Sequence, residues 1–528
     1  MSSAHDIFIR VSQVGYGGKE IKQGVILSDQ QLDGSSFEIV ESSTKTPVFN
    51  SVVGLNFGKY GEFDNSYRFD FSSFRKTGTY RIKIHGVYSN IFEIGDSLFN
   101  PISENLLAFF RIQRCGYTDP SFHGICHRAD ATSIVEDGKV IKKQIDLTGG
   151  WHDAGDYIKF LNTTAYATYT LLFSYSFDPD KFGFDGNNNS IPDLLEEAKI
   201  GLDWLIRCNY KKYKLVTQVQ DLRDHDVGFR LPEEDPLEFD RPAYLGLGKN
   251  TIGIYVAALA IGSQIWKDKF KMDEFADKCL SVALDLYSIR NNVVDLDEHG
   301  SGQYVDLEFN GKLALGAVEL FRTTGREELL KQAEQYADFA GASYWWSYGD
   351  IADYAHYRLS EFDSGYTEYI GSSLEYFKQY SNTHVFGEGV EFKWGSNNTL
   401  LGISLKNILW KKLTGSEKYD SLAISQRDYV LGKNPWGICF ISETGSKFTR
   451  NFHHQISKIN NIPLPGGFAA GPVKKSILDS YDIPFTHSDF YWKFQSDHAV
   501  YRDDVMDYVT NEPTITANST AIFVFGNY

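Results

Sequence analysis

Residues 149–157, with the sequence GGWHDAGDY, place two carboxylates, Asp153 and Asp156, three residues apart among three glycines. Glycine lets a backbone and a ligand approach closely, and the flanking Trp151 and Tyr157 offer flat faces with polar edges that suit sugar rings. Paired acids in an aromatic setting fit the activation of water at a glycosidic bond. The alternative is a polar surface turn, and this stretch alone gives the two interpretations about equal weight.

A second acidic cluster lies near the C-terminus, in residues 501–512, YRDDVMDYVTNE. Together the two clusters resemble a known family. The sequence GWHDAGDY closely resembles the catalytic-base loop of glycoside hydrolase family 9, a cellulase family with an (α/α)6 barrel, and the second cluster resembles its acid motif. Residues 445–447 leading to His453 and His454 are similar to its histidine motif, and residues 394–397 and 429–435 match further family segments.

The resemblance implies hydrolysis by single displacement with inversion at the anomeric carbon. Asp156 would be the general base that deprotonates the attacking water, Asp153 would help to hold that water, and Glu512 would be the general acid on the leaving oxygen. Inverting carboxyl groups stand roughly 6.5–9.5 Å apart, which leaves room for the water.

The acid has to stay protonated, so we expect a raised pKa for Glu512. Asp503, Asp504 and Asp507 are the nearest acids in the sequence, and like-charge repulsion from them would act in that direction. For Asp504 and Asp507 a solvated surface is an equally weighted alternative.

Four residues near the base loop could bind zinc, because two thiolates and two imidazoles form a tetrahedral set. They are Cys115, Cys126, His127 and His152. The spacing is not that of a zinc finger, and the alternative is a pair of buried free cysteines. The resemblance favours zinc, since some members with an immunoglobulin-like domain bind it through this set. We expect a structural ion, without an open position for water, that fixes the base loop through His152.

Residues 185–196, DGNNNSIPDLLE, follow the ligand order of an EF-hand-type calcium loop. The predicted ligands are the side chains of Asp185, Asn187, Asn189, Asp193 and Glu196 and the backbone carbonyl of Ile191. Ser190 replaces the usual glycine at the sixth position. The alternative is an Asn/Asp-rich turn that caps a helix starting near Pro192. We prefer calcium, and the resemblance also implies calcium near this helix start. No organic cofactor is expected.

Substrate contacts come from the resemblance and from the aromatic residues. His453 matches a subsite histidine of the family, whereas His454 could equally be a core residue. The family motif continues with an arginine where this chain has Gln455, which lacks the charge and fork geometry of arginine. The predicted stacking residues are Trp151, Tyr157, Trp394 and Tyr508, and the alternative for each is packing in the core, at better than even odds for Trp394.

The composition narrows the class of protein. The chain has 528 residues and a net charge of −17, which disfavours a nucleic-acid partner. No apolar run is long enough to span a membrane. Five cysteines are too few for a disulfide scaffold. We expect a soluble monomer, secreted if a leader has been removed and cytoplasmic if the chain is complete.

The elements that must position these residues fall into two domains. Residues 1–97 show short alternating segments broken by turn residues, which predict a β-sandwich that resembles the immunoglobulin-like module of one family branch. Residues 98–528 change to helical periodicity, and the simplest arrangement is a ring of paired helices with one face of loops. The predicted strands cover residues 7–11, 22–27, 36–40, 67–71 and 79–85. The predicted helices cover residues 106–114, 165–177, 194–208, 251–266, 273–287, 312–324, 326–339, 400–413, 420–431 and 518–525.

Three functions are compatible with these residues. The first is an endo-β-1,4-glucanase that cuts cellulose or mixed-linkage glucan. The second is an exo-acting β-glucosaminidase or β-glucosidase on short β-1,4-linked oligosaccharides, which Gln455 and the missing leader favour modestly. The third is a non-catalytic sugar-binding protein, which the intact Asp153, Asp156 and Glu512 argue against.

Overall fold

The computed structural model describes residues 6–297, 304 and 306–528. The N-terminal part is a sandwich of two sheets. One has three antiparallel strands, Ile7–Arg10, Gln23–Ser28 and Asn65–Asp70. The other joins Gly15–Tyr16, Phe92–Ile94, Gly78–Ile84, Ser36–Glu41 and Pro47–Val52 in that order, with Val87–Tyr88 paired to Gly78–Ile84.

The register of these strands turns one apolar row of each sheet inward. Ile26 lies opposite Ile9 on one side and Tyr67 on the other. In the second sheet Ile39 lies opposite Ile82. All five side chains belong to one buried cluster, which forms the core of the sandwich. The predicted immunoglobulin-like fold is confirmed.

Six helices of the C-terminal part form a closed inner ring, because each packs on the next and the last packs on the first. In chain order they are Leu161–Phe177, Lys249–Asp268, Asn310–Thr324, Ala352–Leu359, Ser396–Thr414 and Ile515–Asn527. Six outer helices each pack on one or two of these: Asn100–Gln113, Asp193–Cys208, Asp273–Ser288, Glu327–Ala340, Thr367–Ser381 and Asp420–Val430. Twelve paired helices in a double ring are an (α/α)6 barrel, as predicted.

Ten of these helices begin or end within a few residues of the predicted bounds, and two were not predicted, Ala352–Leu359 and Thr367–Ser381. A small sheet of Ser133–Glu136, Lys139–Lys142, Lys159–Phe160, Asn209–Lys211, Lys214–Val219 and Pro242–Gly246 was not predicted either. Short helices at Arg223–Asp226, Gln455–Asn460 and Lys475–Leu478 lie in the loops at the barrel end. The division predicted between residues 97 and 98 lies in the link between Phe92–Ile94 and Asn100–Gln113, and as a domain boundary it stays a prediction.

The sandwich is tied to the barrel by buried polar contacts. The amide nitrogen of Gln13 donates to the carbonyls of Gly437 at 3.0 Å and Lys447 at 3.1 Å. Glu20 accepts two bonds from the guanidinium of Arg427, at 2.8 and 3.0 Å. These contacts connect the sandwich to the segment that leads into the histidine motif. Among the described residues no helix is both long and apolar enough to cross a membrane.

Candidate active site

The loop of residues 149–157 is held by the end of the helix Asn100–Gln113. The backbone N–H of His152 donates to the carbonyl of Gln113 at 2.8 Å, and the amide side chain of Gln113 donates to the carbonyls of His152 at 3.1 Å and Ala154 at 2.5 Å. Gly150 has a φ of +71°, and a methyl group added there would lie 2.7 Å from the ring of Trp204. The glycine is therefore required by both conformation and space.

Gly155 is where this loop meets the acidic segment of residues 501–512. Its backbone N–H donates to Oε1 of Glu512 at 3.1 Å. A methyl group added to Gly155 would lie 2.0 Å from the carbonyl oxygen of His453 and 3.2 Å from Oε1 of Glu512. A further bond joins the N–H of Ile515 to the carbonyl of Asp153 at 3.0 Å. The structure thus brings the predicted base loop, acid and histidine to one place.

The two aspartates of the loop have different partners. Asp156 accepts from the backbone of Ile158 at 2.8 Å and contacts Nε2 of His225 at 2.9 Å. Asp153 is 1% exposed, accepts from the hydroxyl of Tyr304 at 2.5 Å, and has one buried oxygen without a hydrogen-bond partner in the described structure. Burial raises the pKa of Asp153 to about 7.

His225 and Tyr304 were missed by the sequence analysis. They lie 69 and 151 residues from the aspartates they contact, and neither stands in a motif that signals its role. The hydrogen bond to Asp156 raises the pKa of His225 to about 9. The imidazolium beside Asp156 is therefore the main form at neutral pH.

Glu512 has a pKa well above the ordinary value, as predicted, but the cause differs from the prediction. Desolvation is the largest effect, followed by the charge of Asp156 and, more weakly, that of Asp153. The Gly155 N–H and the charge of His225 act in the opposite direction. After desolvation, the base loop therefore has the largest influence on the pKa of Glu512, through Asp156, Asp153 and the N–H of Gly155.

The three aspartates that we expected to raise this pKa serve another purpose. Asp504 and Asp507 are fully buried rather than solvated. Asp507 accepts from the N–H of Val509, and from the N–H and hydroxyl of Thr510, at 2.6–2.9 Å. Asp503 and Asp504 likewise accept from backbone N–H groups, and these bonds shape the segment. None of the three is among the main causes of the raised Glu512 pKa, so the proposed like-charge effect was wrong.

Aromatic side chains line the surface beside these carboxyls. The ring centroid of Tyr508 lies 6.1 Å from Trp394, 5.8 Å from Tyr481 and 5.8 Å from His453. Trp394 is 39% exposed and Phe229, which contacts His453, is 38% exposed. We call these five residues the aromatic strip. Tyr481 and Phe229 were not predicted.

Two of the predicted stacking residues cannot touch a substrate. Trp151 is fully buried, and its indole N–H donates to Glu197 at 2.7 Å. Tyr157 is 1% exposed and donates to the carbonyl of Arg230. Both predictions were wrong, because these rings are packed in the interior and leave no exposed face for a sugar.

The residues after the histidine motif have structural partners. His453 is half-buried, and its Nδ1 lies 2.8 Å from the carbonyl of Val505, which fixes the ring. His454 is a core residue with Nε2 2.7 Å from Gln113. Gln455 is buried and accepts from the backbone of Arg230 at 3.1 Å. In this chain, therefore, the side chain of Gln455 orders a loop.

The predicted zinc ligands form one buried cluster, in which one donor atom from each of Cys115, Cys126, His127 and His152 lies within 4.8 Å of the others. Nδ1 of His127 is 3.1 Å from Nε2 of His152. Nε2 of His127 is 3.1 Å from Asp235, an outer contact that orients a ligating imidazole. All five cysteines of the chain are free and buried. Two thiols and two imidazole nitrogens that converge in this way fit a tetrahedral metal.

Residues 185–196 fold into a compact loop that ends at the helix Asp193–Cys208. Asp185 accepts from the backbone of Asn189 and Ser190, and the amides of Asn187 and Asn189 both donate to Glu196. Ser190 has a φ of +71°, the left-handed conformation that a calcium loop needs at its sixth position. These hydrogen bonds close the loop, and its set of calcium ligands stays a prediction.

Comparison with known families decides the class. A family model described as glycosyl hydrolase family 9 matches residues 99–525. The chain belongs to glycosyl hydrolase family 9. A second model, described as the cellulase N-terminal ig-like domain, matches residues 5–89. The chain is thus a glycoside hydrolase with a family 9 catalytic domain behind an immunoglobulin-like domain.

Similar proteins agree with this family 9 assignment. Endoglucanase D of Acetivibrio thermocellus is 24% identical over 517 residues, which cover 90% of this chain and 80% of the relative. A metagenome-derived family 9 endoglucanase has a TM-score of 0.83 at 25% identity, with 98% of both chains covered. A zinc-binding triple mutant of the family 9 endoglucanase J30 has a TM-score of 0.83 at 22% identity and covers 97% of this chain and 99% of its own.

Proposed function

We propose that this family 9 enzyme is an inverting endo-β-1,4-glucanase. The observation that carries the proposal is a pair of carboxyls at one site, one of which has a strongly raised pKa. Asp156 contacts a protonated imidazole, whereas Glu512 is desolvated and has a strongly raised pKa. A buried carboxyl with a raised pKa next to a second carboxyl is an arrangement that suits general acid and base chemistry.

In the proposed reaction Asp156 takes a proton from the water that attacks the anomeric carbon. Glu512 gives its proton to the glycosidic oxygen as the bond between that oxygen and the anomeric carbon breaks. The product has the inverted configuration, and exchange with solvent returns the enzyme to its starting protonation state. Asp153 would hold the water, because it lies beside Asp156 in the loop and one of its oxygens, near the hydroxyl of Thr163, has no well-aligned hydrogen bond among the described residues.

His225 and Tyr304 act through these carboxylates as positioning residues. The imidazolium of His225 fixes the carboxylate of Asp156 and balances its charge. The hydroxyl of Tyr304 holds one oxygen of Asp153 and leaves the other free. In this scheme their contribution is orientation, which accounts for much of the efficiency of such sites.

The aromatic strip supports a glucan as substrate. Flat side chains such as Trp394 and Tyr508 bind the apolar faces of β-linked glucose rings, while His453 offers a ring nitrogen to a hydroxyl. Three members of the strip, Phe229, Trp394 and Tyr481, are 37–39% exposed and so accessible to a long glucan chain, which fits endo action. Endoglucanase D and the metagenome-derived family 9 enzyme, both endoglucanases by name, point the same way.

Two metals belong to the proposal. Cys115, Cys126, His127 and His152 would hold a structural zinc, which supplies a rigid support for the base loop because His152 precedes Asp153. Residues 185–196 would hold calcium through the side chains of Asp185, Asn187, Asn189, Asp193 and Glu196 and the carbonyl of Ile191. In the proposed reaction the protons are transferred by the protein's carboxyl groups.

The hydrolysis products distinguish between the candidate activities. Carboxymethyl cellulose, cello-oligosaccharides and chitosan oligomers are incubated with the enzyme, the products are separated by chromatography, and the first-formed anomer is recorded by NMR. Endo action predicts a rapid fall in viscosity and a range of oligosaccharides with α-anomeric ends. Release of single sugars only would favour the exo-acting alternative, and hydrolysis of none would overturn the proposal. The Glu512→Gln variant is the control for contaminating activity.

A further inference from the structure

A second group of potential metal ligands lies away from the carboxyls and away from the Cys/His cluster. His384 and Glu388 lie in the link between the helices Thr367–Ser381 and Ser396–Thr414, and His498 lies just before residues 501–512. One donor atom from each of the three lies within 4.8 Å of the other two. A tight turn brings the first pair together, since the N–H of Gly387 donates to the carbonyl of His384 at 3.0 Å.

The carboxylate of Glu388 is the feature that indicates a bound cation. The residue is 2% exposed. One oxygen contacts Nε2 of His498 at 3.0 Å, and the other is buried and has no hydrogen-bond partner in the described part of the chain. A buried carboxylate oxygen without a donor is costly, and a metal ion bound there would remove that cost.

The imidazole of His384 is prepared for such an ion. Its Nδ1 lies 3.1 Å from the carbonyl of Tyr380, and a proton donated there leaves Nε2 as a free electron-pair donor. The ring of Tyr380 stacks on it at 4.4 Å, and Phe392 contacts the ring of His498 at 5.1 Å. The two imidazoles are therefore held in place by their neighbours, 4.8 Å apart between ring centroids.

We propose that His384, Glu388 and His498 bind a zinc ion. Two imidazoles and one carboxylate are a known three-ligand set for zinc, with water in the fourth position. The side chain of His498 is 25% exposed, so an ion can reach the group from solvent. Zinc holds such ligands at about 2.0–2.2 Å, so the three side chains would have to turn and move toward the ion.

The consequence would be mechanical. Arg68 of the sandwich donates to the carbonyls of His384 at 2.5 Å and Val385 at 3.3 Å, so the turn already carries a contact between the domains. His498 leads within three residues to the acidic segment. A zinc ion here would cross-link the turn, the sandwich contact and the start of the segment that ends at Glu512.

The test counts metal equivalents in the full chain. Protein freed of metal with a chelator is titrated with Zn²⁺, and in parallel with Co²⁺, in the presence of excess Ca²⁺ to fill calcium sites. We expect two equivalents in the wild type. One Co²⁺ should show the strong near-ultraviolet absorption of thiolate ligands, and the second only weak visible bands, because its ligands are nitrogen and oxygen.

Substitutions show which residues bind the second metal equivalent. His498→Gln and Glu388→Gln should each lose only the thiolate-free equivalent, while Cys126→Ser should lose only the thiolate-bound one. His85→Asn, which removes an exposed histidine of the sandwich at a φ of +46° that asparagine tolerates, is the matched control and should keep both.

Folding is checked separately in the Cys126→Ser background, where added Zn²⁺ should still raise the melting temperature through the second site. The rise should vanish when His498→Gln is added. A single equivalent in the wild type, or a second equivalent that survives both the His498 and the Glu388 substitutions, would overturn the proposal.

Discussion

The base loop and the acidic segment carry the two halves of one proposed reaction, yet they are held in different ways. The base loop of residues 149–157 depends on side chains from distant segments, among them Gln113, His225 and Tyr304. The acidic segment of residues 501–512 is organised largely by its own aspartates, which accept its own and neighbouring backbone N–H groups. We therefore expect substitutions in distant segments to affect catalysis through the base loop. The stability of the acidic segment should instead depend on substitutions within that segment.

The largest effect is expected where the two regions carry the proposed proton transfers. Glu512→Gln and Asp156→Asn remove the acid and the base while keeping the shape. Each should lower kcat by about 10²–10⁴-fold, the usual contribution of a positioned acid or base. Initial rates on a cello-oligosaccharide with unchanged circular dichroism check this result. Near-normal turnover in either variant would remove that residue from its role.

The next effect is expected at the contact between the two regions. Gly155→Ala would place a methyl group 2.0 Å from the carbonyl of His453, so the loop and the histidine segment must separate. We expect a destabilisation of about 1–3 kcal/mol, as for other overpacked sites, and a loss of activity larger than the stability change explains. Denaturant unfolding and kcat are measured together.

Gly18→Ala is the control for this substitution, because its added methyl group would meet only the carbonyl oxygen of Arg75 at 3.9 Å. Equal behaviour of the two alanine variants would show that the contact at Gly155 is not a constraint.

A smaller effect, on stability, separates the acidic segment from the base loop. Asp507→Ala leaves the backbone donors of Val509 and Thr510 without an acceptor. A buried donor left unpaired costs about 1–3 kcal/mol, so the free energy of unfolding should fall by that order. Asp482→Ala, at an exposed position, should leave it unchanged. If both variants unfold at the same denaturant concentration, the aspartates do not organise the segment.

The smallest expected effect is a shift in a pH profile. The charge of His225 lowers the pKa of Glu512, so His225→Asn should move the high-pH limb of kcat toward higher pH. The contribution of His225 to folding stability also depends on pH. The pKa of His225 is raised to about 9, so its contribution is complete below about 6.5 and disappears as the pH rises through 9.

The variant should lack that pH-dependent contribution to stability. Rate profiles and unfolding curves between pH 5 and 10 measure both effects. An unmoved high-pH limb would mean that the imidazole does not reach Glu512 electrostatically.

Residues that act within short segments could be predicted from the sequence, whereas residues that come from distant segments could not. The acidic residues and the Cys/His set stand in short segments whose spacing carries the information, so their positions could be identified. His225 and Tyr304 could not, because they meet the carboxylates only through the fold of the barrel. The direction of the Glu512 pKa was predictable, whereas its cause was not, because burial and the proximity of Asp156 are three-dimensional facts.

Local sequence features also explain why some strands and helices were not predicted. The strand Pro47–Val52 lies at the sheet edge with few buried side chains, so no apolar alternation marks it. The helix Ala352–Leu359 is buried throughout although it is rich in polar residues. Its Asp353 pairs with Lys406 at 2.6 Å, and Arg358 pairs with Glu319 at 2.8 Å. Ion pairs replace the apolar face from which a helix is normally predicted.

The contact between Glu20 and Arg427 has a consequence for dissecting the protein. Arg427 is fully buried in the barrel, and it donates two hydrogen bonds to a carboxylate that belongs to the other domain. Cutting the chain between the domains would leave that guanidinium with Asp428 as its remaining acidic partner among the described residues. Grafting a foreign sandwich onto this barrel would therefore succeed only if the donor supplies an acid at the same place.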